Sequence, residues 1–338
     1  MANSISPPLL ELLEKVVGAS TSRYLQNALA VPNLSSASPV HRSVITQALN
    51  MALFAKLLKV VPDAQRYTDE RIAQGVKIIL DHGALRTVIN VNNGQLPSGQ
   101  AAFSRFLSPL GYEEAGHYPM PNLRMVGRVW CHVDLPETLS QFFVSELNVA
   151  AFSAPFQSAA ARVVSESQDP LTMQSKASLA RLQESQTLPI ELAVPLLINL
   201  LECFERQHTN PHWEDYQCLL NESAEMAWIA TEGNVFNHAA DRVVQLDSTV
   251  SEQKNLDRPM KQNIEVSRDG TIRQTAYRAA TVQRSFVSSD TSELQKAVSG
   301  SFFEFISRAP DPDGSGRLDL RFDAANAQGI FKMTEAKS

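Results

Sequence analysis

The sequence predicts an α+β protein in which a β-α-β-β-β unit occurs twice, with a helical region before the first unit and a helical insertion between the two. After residue 80 the chain changes from helical periodicity to β-branched runs separated by turn residues, and it changes back over 151–226. A second observation is a matched pair of histidines, because His82 and His238 each lie in the first strand of a unit. We therefore divide the chain into 1–80, 81–150, 151–226 and 227–338.

The first region, residues 8–80, is predicted to be helical. Apolar residues recur at helical spacing between Leu9 and Val17, and a second such stretch runs from about 43 to 61, where Pro62 ends it. A third helix is predicted over DERIAQGVKIILDHG and leads directly to His82.

The two units show the same order of elements. In the first, ALRTVINV predicts a strand, QAAFSRFLSPLG a short helix ending on glycine, and YEEAGHYP, LRMVGRVWCHVD and QFFVSEL three further strands. In the second, a strand through EGNVFNHAADRVV precedes a helix near 246–256. Strands are then predicted in IEVSRDGTIRQTAYRA, VQRSFV and SGSFFEFISR, with the Asp-Gly of SRDG closing a hairpin.

Composition excludes several classes of function. The 338 residues are 43% hydrophobic and 20% charged, with a formal net charge of −6 and no Lys/Arg cluster, so we expect no nucleic-acid partner. Three cysteines without zinc-type spacing are expected to be reduced, which favours a cytoplasmic location. The segment MANSISPPLLELLEKVV lacks a basic n-region, and the apolar stretch 189–201 is shorter than the roughly 20 residues of a membrane span. We expect neither a signal peptide nor membrane association.

Three distant segments, DHGALRTV, FNHAADRVV and SFFEFISR, each carry one side chain that can bind a metal: His82, His238 and Glu304. Two imidazoles and one carboxylate form the facial triad of non-heme Fe(II) oxygenases. Taken singly, each histidine is more often a hydrogen-bonded core residue than a ligand. Strand alternation puts Glu304 on an inward face with Phe302 and Ile306, where an ionised carboxylate is costly unless it is paired or binds a metal.

Arg86 is the candidate for gripping a substrate carboxylate. It follows His82 by four residues, and an even separation puts both side chains on one face of an extended strand, about 13 Å apart at about 3.3 Å per residue. A guanidinium binds a carboxylate through two parallel hydrogen bonds. The alternative is an exposed arginine on an edge strand, in which case Arg273 and Arg308 are the next candidates.

Competing sites have little support in the sequence. A zinc site built from His208 and His212 would need a regular helix, and Pro211 between them argues against one. Motifs of the types GxGxxG, GxxxxGK[ST], GxSxG and HExxH do not occur, so nucleotide-binding, serine-hydrolase and zincin functions have no support.

The chain resembles the family of 2-oxoadipate dioxygenase/decarboxylase, also called 2-hydroxyglutarate synthase. The resemblance rests on HGALRTV, FLSPLGYEEAGHYPMPNLRMVGRVW, LPETLSQFFVSEL, NHAADRV, DRPMKQNIEVSRDGTIRQT, FFEFISR and LRFDAANAQGIFKMTE, from about residue 75 to the C-terminus. It implies a half-open barrel of the vicinal-oxygen-chelate type, in which homo-oligomers are common. It also implies that Fe(II) is bound by His82, His238 and Glu304.

The activity that this resemblance implies is the conversion of 2-oxoadipate and O2 to 2-hydroxyglutarate and CO2, a step of lysine breakdown. His82, His238 and Arg86 would contact the substrate, and Phe302, Phe305 and Trp130 are candidates for an apolar wall. Two alternatives stay open: an Fe(II) dioxygenase for another 2-oxo acid, and a non-catalytic module that only binds a metal or ligand.

The chain departs from the family after the second histidine, where the family carries Thr and Pro and this chain has Ala240 and Asp241. A carboxylate inside the cavity would repel a dianionic substrate. Because Asp241 lies three residues from His238, we expect it on the opposite face of the strand.

Overall fold

Four helices and one short strand precede the central sheet. A computed structural model of the protein describes residues 5–90, 92–311 and 313–323. The first elements are α1 (Pro7–Val17), α2 (Ala19–Ala28), β1 (Val40–His41), α3 (Arg42–Val60) and α4 (Pro62–Ala73). Pro62 begins α4, because its fixed φ suits the first helical position. The prediction that a helix leads directly to His82 is wrong, since α4 ends at Ala73 and Gly75 turns the chain with φ of 69°.

Helix α3 is a core helix. Among the described residues it is the one helix that is long and apolar enough to cross a membrane, but 78% of the relevant window is buried by the rest of the fold. Both faces of such a helix are apolar because it packs on all sides.

The first β-α-β-β-β unit has the predicted elements. They are β2 (Leu80–Ile89), α5 (Ala101–Leu107), β3 (Tyr112–Met120), β4 (Met125–His132) and β5 (Gln141–Asn148). Its first and last strands pair in parallel, and β4 and β3 follow outward in antiparallel register.

A helical segment separates the two units. It contains α6 (Ala154–Val164), α7 (Met173–Ser185), β6 (Thr187–Leu188), α8 (Ile190–Cys203), α9 (Trp213–Leu220) and α10 (Ala224–Glu232). The last helix runs beyond residue 226 and ends where Gly233 adopts a positive φ of 66°. The predicted strand in EGNVFNHAADRVV therefore begins only at His238. The four-part division of the chain stays a proposal.

The second unit contains β7 (His238–Arg242), α11 (Leu246–Asn255), β8 (Glu265–Val266), β9 (Ile272–Ala276), β10 (Thr281–Val287), β11 (Glu293–Ser299) and β12 (Phe302–Arg308). VQRSFV was expected to be a strand of the unit, and it does form β10. However, β10 pairs with β11 in a hairpin separate from the main sheet. Phe286, near the end of β10, is buried against Trp213 and Tyr216 of α9, and this packing holds the hairpin away from the sheet.

The strands β1 and β6 pair with each other. The eight other strands form one curled sheet, a half-barrel, in the order β3-β4-β5-β2-β7-β12-β9-β8. The predicted fold class is confirmed. At the centre β2 and β7 run antiparallel, while β5 and β12 flank them in parallel. The order β3-β4-β5-β2 of the first unit is thus mirrored by β8-β9-β12-β7 of the second.

The two faces of the sheet have different partners. On one face, Phe303 and Phe305 of β12 pack against Tyr67 of α4, with ring centroids 5.7 and 4.9 Å away. The alternate residues, Phe302 and Glu304, face the concave side. This concave side holds the site described next.

Candidate metal centre

Three residues from the concave face meet in one buried cluster: His82 of β2, His238 of β7 and Glu304 of β12. Their potential ligand atoms all lie within 4.8 Å of one another. The Nε2 atoms of His82 and His238 are 3.9 and 3.3 Å from Oε2 of Glu304. Two atoms that share an ion at about 2.1 Å can be at most about 4.2 Å apart, so both distances fit a common ion. Among the described residues no other group of three is placed in this way.

Strand register explains why residues so distant in sequence meet here. His82 pairs with Ala240 across the central β2–β7 junction, and Ala240 pairs in turn with Glu304. Two residues further along β2, Ala84 pairs with His238. Because directly opposite residues point to the same face, all three metal-capable side chains project into the same cavity.

Each histidine is oriented by the residue that precedes it. Nδ1 of His82 lies 2.9 Å from Oδ2 of Asp81, and Nδ1 of His238 lies 3.1 Å from Oδ1 of Asn237. An acceptor at Nδ1 fixes the proton on that nitrogen and leaves the Nε2 lone pair for a metal, which is the usual arrangement around metal-bound histidines. Both acceptors stand in the motifs DHGALRTV and FNHAADRVV, directly before the histidines.

Electrostatics favour neutral imidazoles. Burial lowers the pKa of His82 against the opposing effect of Asp81, and burial lowers the pKa of His238 well below its usual value, with further lowering by His82 and Arg86. Neutral imidazole is the form that binds metals.

Glu304 provides the test of whether these residues suit a metal. It is 1% exposed, and its Oε1 atom has no hydrogen-bond partner among the described residues. Burial raises its pKa well above the usual value, with smaller contributions from Glu265 and Asp81. A buried carboxylate without a partner is costly, and a divalent cation beside it would compensate for that cost. The donor set therefore fits a metal ion with nitrogen and oxygen ligands.

Arg308 supports the cluster through Asp81. Its hydrogen bonds to the protein leave it unavailable to bind a substrate carboxylate. Its guanidinium donates two hydrogen bonds of 2.8 Å to Asp81 and further ones to the carbonyls of Asp319 and Arg321. It therefore fixes Asp81, which in turn fixes His82. Arg273, the other alternative cation, pairs with Asp247 at the surface.

The cluster lies at one end of a cavity of about 390 Å³, open mouth included. The lining residues are His82, Ala84, Leu85, Arg86, Phe143, Ser145, Asn237, His238, Gln274, Glu304 and Phe322. Arg86 shares this cavity with His82 and is only 1% exposed, so it is not an edge-strand arginine at the surface. Its Cζ atom lies 5.0 Å from the centre of the Trp228 ring, and burial lowers its pKa to about 10, opposed by Glu225.

The expected aromatic wall is wrong, because none of Phe302, Phe305 and Trp130 lines the cavity. Phe302 stacks on the His238 ring at 4.5 Å, but Phe305 packs on the opposite face of the sheet. Trp130 is not among the residues that line the cavity, whereas Phe143 and Phe322 are.

His208 and Asp241 lie away from the metal cluster, whereas Ala240 lies between His82 and Glu304 in one row of paired residues. His208 is buried with Nε2 3.0 Å from the Ala230 carbonyl, and it forms no metal-capable group of three within the described chain. Asp241 lies on the opposite face, as predicted, where Tyr67 donates a hydrogen bond of 2.7 Å to its carboxylate. It is nevertheless buried rather than exposed to solvent.

Most of the chain matches one known family and several solved structures. The profile of the 2-oxoadipate dioxygenase/decarboxylase family matches residues 48–333. No curated protein matches the sequence. A protein from Ralstonia eutropha JMP134, described as a glyoxalase superfamily member, shares 45% identity with a TM-score of 0.91, covering 95% of this chain and 100% of its own.

Two hydroxyglutarate synthases solved in complex with 2-oxoadipate are more distant. The enzyme from Oryza sativa shares 19% identity with a TM-score of 0.66, covering 91% of this chain and 97% of its own. That from Pseudomonas putida shares 18% identity with a TM-score of 0.62, covering 88% of this chain and 74% of its own. At 19% and 18% identity, these two structures show that the fold is shared.

Proposed function

Because this chain belongs to the 2-oxoadipate dioxygenase/decarboxylase family, we propose that it is an enzyme that acts on a 2-oxo acid. The specific proposal is that it uses Fe(II) to convert 2-oxoadipate and O2 into 2-hydroxyglutarate and CO2. One O2 is consumed for each CO2 released, and the carbon chain shortens by one. A cytoplasmic location and a role in lysine breakdown are part of the proposal.

The observation that carries this proposal is the buried cluster of His82, His238 and Glu304. Its three potential ligand atoms lie within 4.8 Å of one another, and Oε1 of Glu304 has no hydrogen-bond partner among the described residues. Three protein ligands leave other positions of an ion open, which is what a reaction with both a chelating acid and O2 needs.

Fe(II) bound there would supply adjacent open positions for O2 and for the ketone and C1 carboxylate oxygens of the substrate. The chain's own residues fix the geometry. Asp81 and Asn237 hold the two imidazoles, and Arg308 holds Asp81. The ligands are between 1% and 6% exposed, so little water reaches the reacting atoms.

Arg86 would bind the far carboxylate of a dicarboxylic acid. It lies four residues beyond His82 on the same face of β2 and lines the same cavity as the metal ligands. The Trp228 ring over its guanidinium restricts the orientation of that group. A substrate with carboxylates at both ends would thus be held by the metal at one end and by Arg86 at the other.

The test is an oxygen-electrode screen of 2-oxo acids with Fe(II), with products identified by mass. We expect 2-oxoadipate to give one CO2 per O2 and 2-hydroxyglutarate, and Glu304→Ala to show no uptake. Uptake with an aromatic or branched 2-oxo acid and none with 2-oxoadipate would change the substrate but keep the reaction type. Binding of a 2-oxo acid without any O2 uptake would favour a non-catalytic module.

A further inference from the structure

The two halves of the sheet are related residue by residue, and the relation extends to the metal centre. In both units the first strand pairs in parallel with the last, so His82 pairs with Gln141 as His238 pairs with Phe302. Two residues further along, Phe143 pairs with Ala84 as Glu304 pairs with Ala240. Phe143 is therefore the counterpart of Glu304.

The same relation appears across the strands. One row of directly opposite residues runs His82, Ala240, Glu304, and the adjacent row runs His238, Ala84, Phe143. Each row contains one histidine, one alanine of the central strands β2 and β7, and one residue of β12 or β5, the last strands of the two units. The positions of His82, Glu304, His238 and Phe143 thus surround the candidate metal site. Three of these four positions carry side chains that can bind a metal.

The supporting residues repeat as well, which shows that the comparison is in register. Asp81 and Asn237 occupy equivalent positions and make equivalent contacts with the histidine that follows. The fourth position is therefore the point at which the two halves differ in their chemistry.

We propose that Phe143 occupies the place of a fourth protein ligand and keeps it apolar, so that the metal retains three protein ligands and the cavity gains a hydrophobic wall. This inference rests on the proposed function. Phe143 lines the same cavity as the three ligands and lies beside Ala84, midway between His82 and Arg86 along β2. Phe143 shares a row with His238 and lies one row from Arg86, so its ring could contact the methylene groups of a short linear dicarboxylic 2-oxo acid held between the metal and Arg86.

The residues around the Phe143 ring leave space for it and pack against it. A Cβ atom on Gly127 of β4 would lie 2.4 Å from the Phe143 ring, so only glycine leaves room for it there. Phe322 packs on the other side with ring centroids 5.1 Å apart, and its own ring lies 4.9 Å from that of His82. The counterpart of Gly127 in the second unit is Gln274, a polar residue that lines the cavity near Glu304.

The experiment restores a ligand at the fourth position. Phe143→Glu should bind Fe(II) about 10-fold more tightly in anaerobic titration, because ligand number and charge set the affinity for a hard cation. It should also change the visible absorption of the Co(II)-substituted protein, which follows coordination number. Phe143→His, which keeps a planar ring, should change both readouts in the same direction and covers the case in which the glutamate variant does not fold.

Ser145→Asp is the matched control. It adds the same charge to the same cavity and strand, but opposite Arg86, and its Fe(II) affinity and Co(II) absorption should equal those of the wild type. Unchanged affinity and absorption in both Phe143 variants, while His238→Ala loses the metal, would overturn this inference and leave the proposed function intact. A wild-type protein that binds no Fe(II) would overturn both.

Discussion

Replacing Asp81 by Asn should destabilise the protein strongly, because it leaves the Arg308 guanidinium buried without its counter-charge. The two side chains are 2% and 0% exposed and are joined by two hydrogen bonds of 2.8 Å. Burial raises the pKa of Asp81, but the charge of Arg308 and the hydrogen bonds from His82 and Arg308 outweigh it, so the net pKa is well below the usual value.

Removing one partner of a buried ion pair costs about 3–5 kcal/mol. Arg308 keeps the carbonyls of Asp319 and Arg321 as acceptors, so we expect Asp81→Asn to lose about 3 kcal/mol, the lower end of that range. The Asn amide can still accept from Nδ1 of His82, but without a charge, and Fe(II) affinity should fall by about 10-fold.

The assay is urea unfolding without metal, followed by anaerobic Fe(II) titration. The matched control is Asp134→Asn, which breaks the same two-hydrogen-bond contact with Arg42 at a site where the aspartate side chain is 29% exposed. Solvent screens this half-buried pair more than the fully buried one, so Asp134→Asn should cost clearly less stability than Asp81→Asn. Equal losses of stability in the two variants would refute the argument that burial makes the Asp81–Arg308 pair important.

Two further predictions concern the substrate and pH. Arg86→Ala should raise KM for 2-oxoadipate by about 10- to 100-fold without changing Fe(II) affinity, and Arg86→Lys should recover part of the loss; an unchanged KM would assign the grip to another cation. Burial raises the pKa of Asp241 to about 6, although hydrogen bonds from Tyr67 and the Ile79 amide oppose this. The folded state therefore binds this proton more tightly than the unfolded state, so the wild type gains stability as pH falls from above 6 towards about 4. Asp241→Asn should lack this gain of up to about 3 kcal/mol, and identical pH dependence of unfolding in both proteins would contradict the assignment.

Much of the candidate site could be predicted from sequence because strand alternation is a local property. His82, His238 and Glu304 lie on strands whose period of two determines which residues share a face, and the structure places all three in one cavity. The same rule correctly put Asp241 on the opposite face, against Tyr67.

What the sequence could not predict depends on contacts between distant segments. Arg308 reaches Asp81 across 227 residues, and no local pattern indicates that pair. The strand β10 was recognisable, but its pairing outside the main sheet is decided by Phe286 packing against α9. Alternation also failed to identify the aromatic wall, because Phe143 and Phe322 lie outside the three strands that carry the metal-capable residues.

The end of the helix before His82 is a third feature that the sequence does not predict. Helical spacing of apolar residues continues through RIAQGVKIIL, yet Gly75 ends the helix and the next apolar residues enter a strand. A short apolar run is compatible with either structure, and the pairing partners decide between them. The C-terminal part of the motif LRFDAANAQGIFKMTE, from residue 324 on, lies outside the described residues.

The most direct test of the central claim is unfolding of the wild type and Glu304→Gln, each with and without Fe(II) under anaerobic conditions. If Glu304 is kept for a metal, the metal-free glutamine variant should be more stable than the metal-free wild type, because it removes a buried carboxyl group whose Oε1 has no hydrogen-bond partner in the described part of the chain. Fe(II) should then stabilise the wild type by mass action and leave the variant nearly unchanged. A variant that is less stable without metal, or a wild type that gains no stability from Fe(II), would contradict the account.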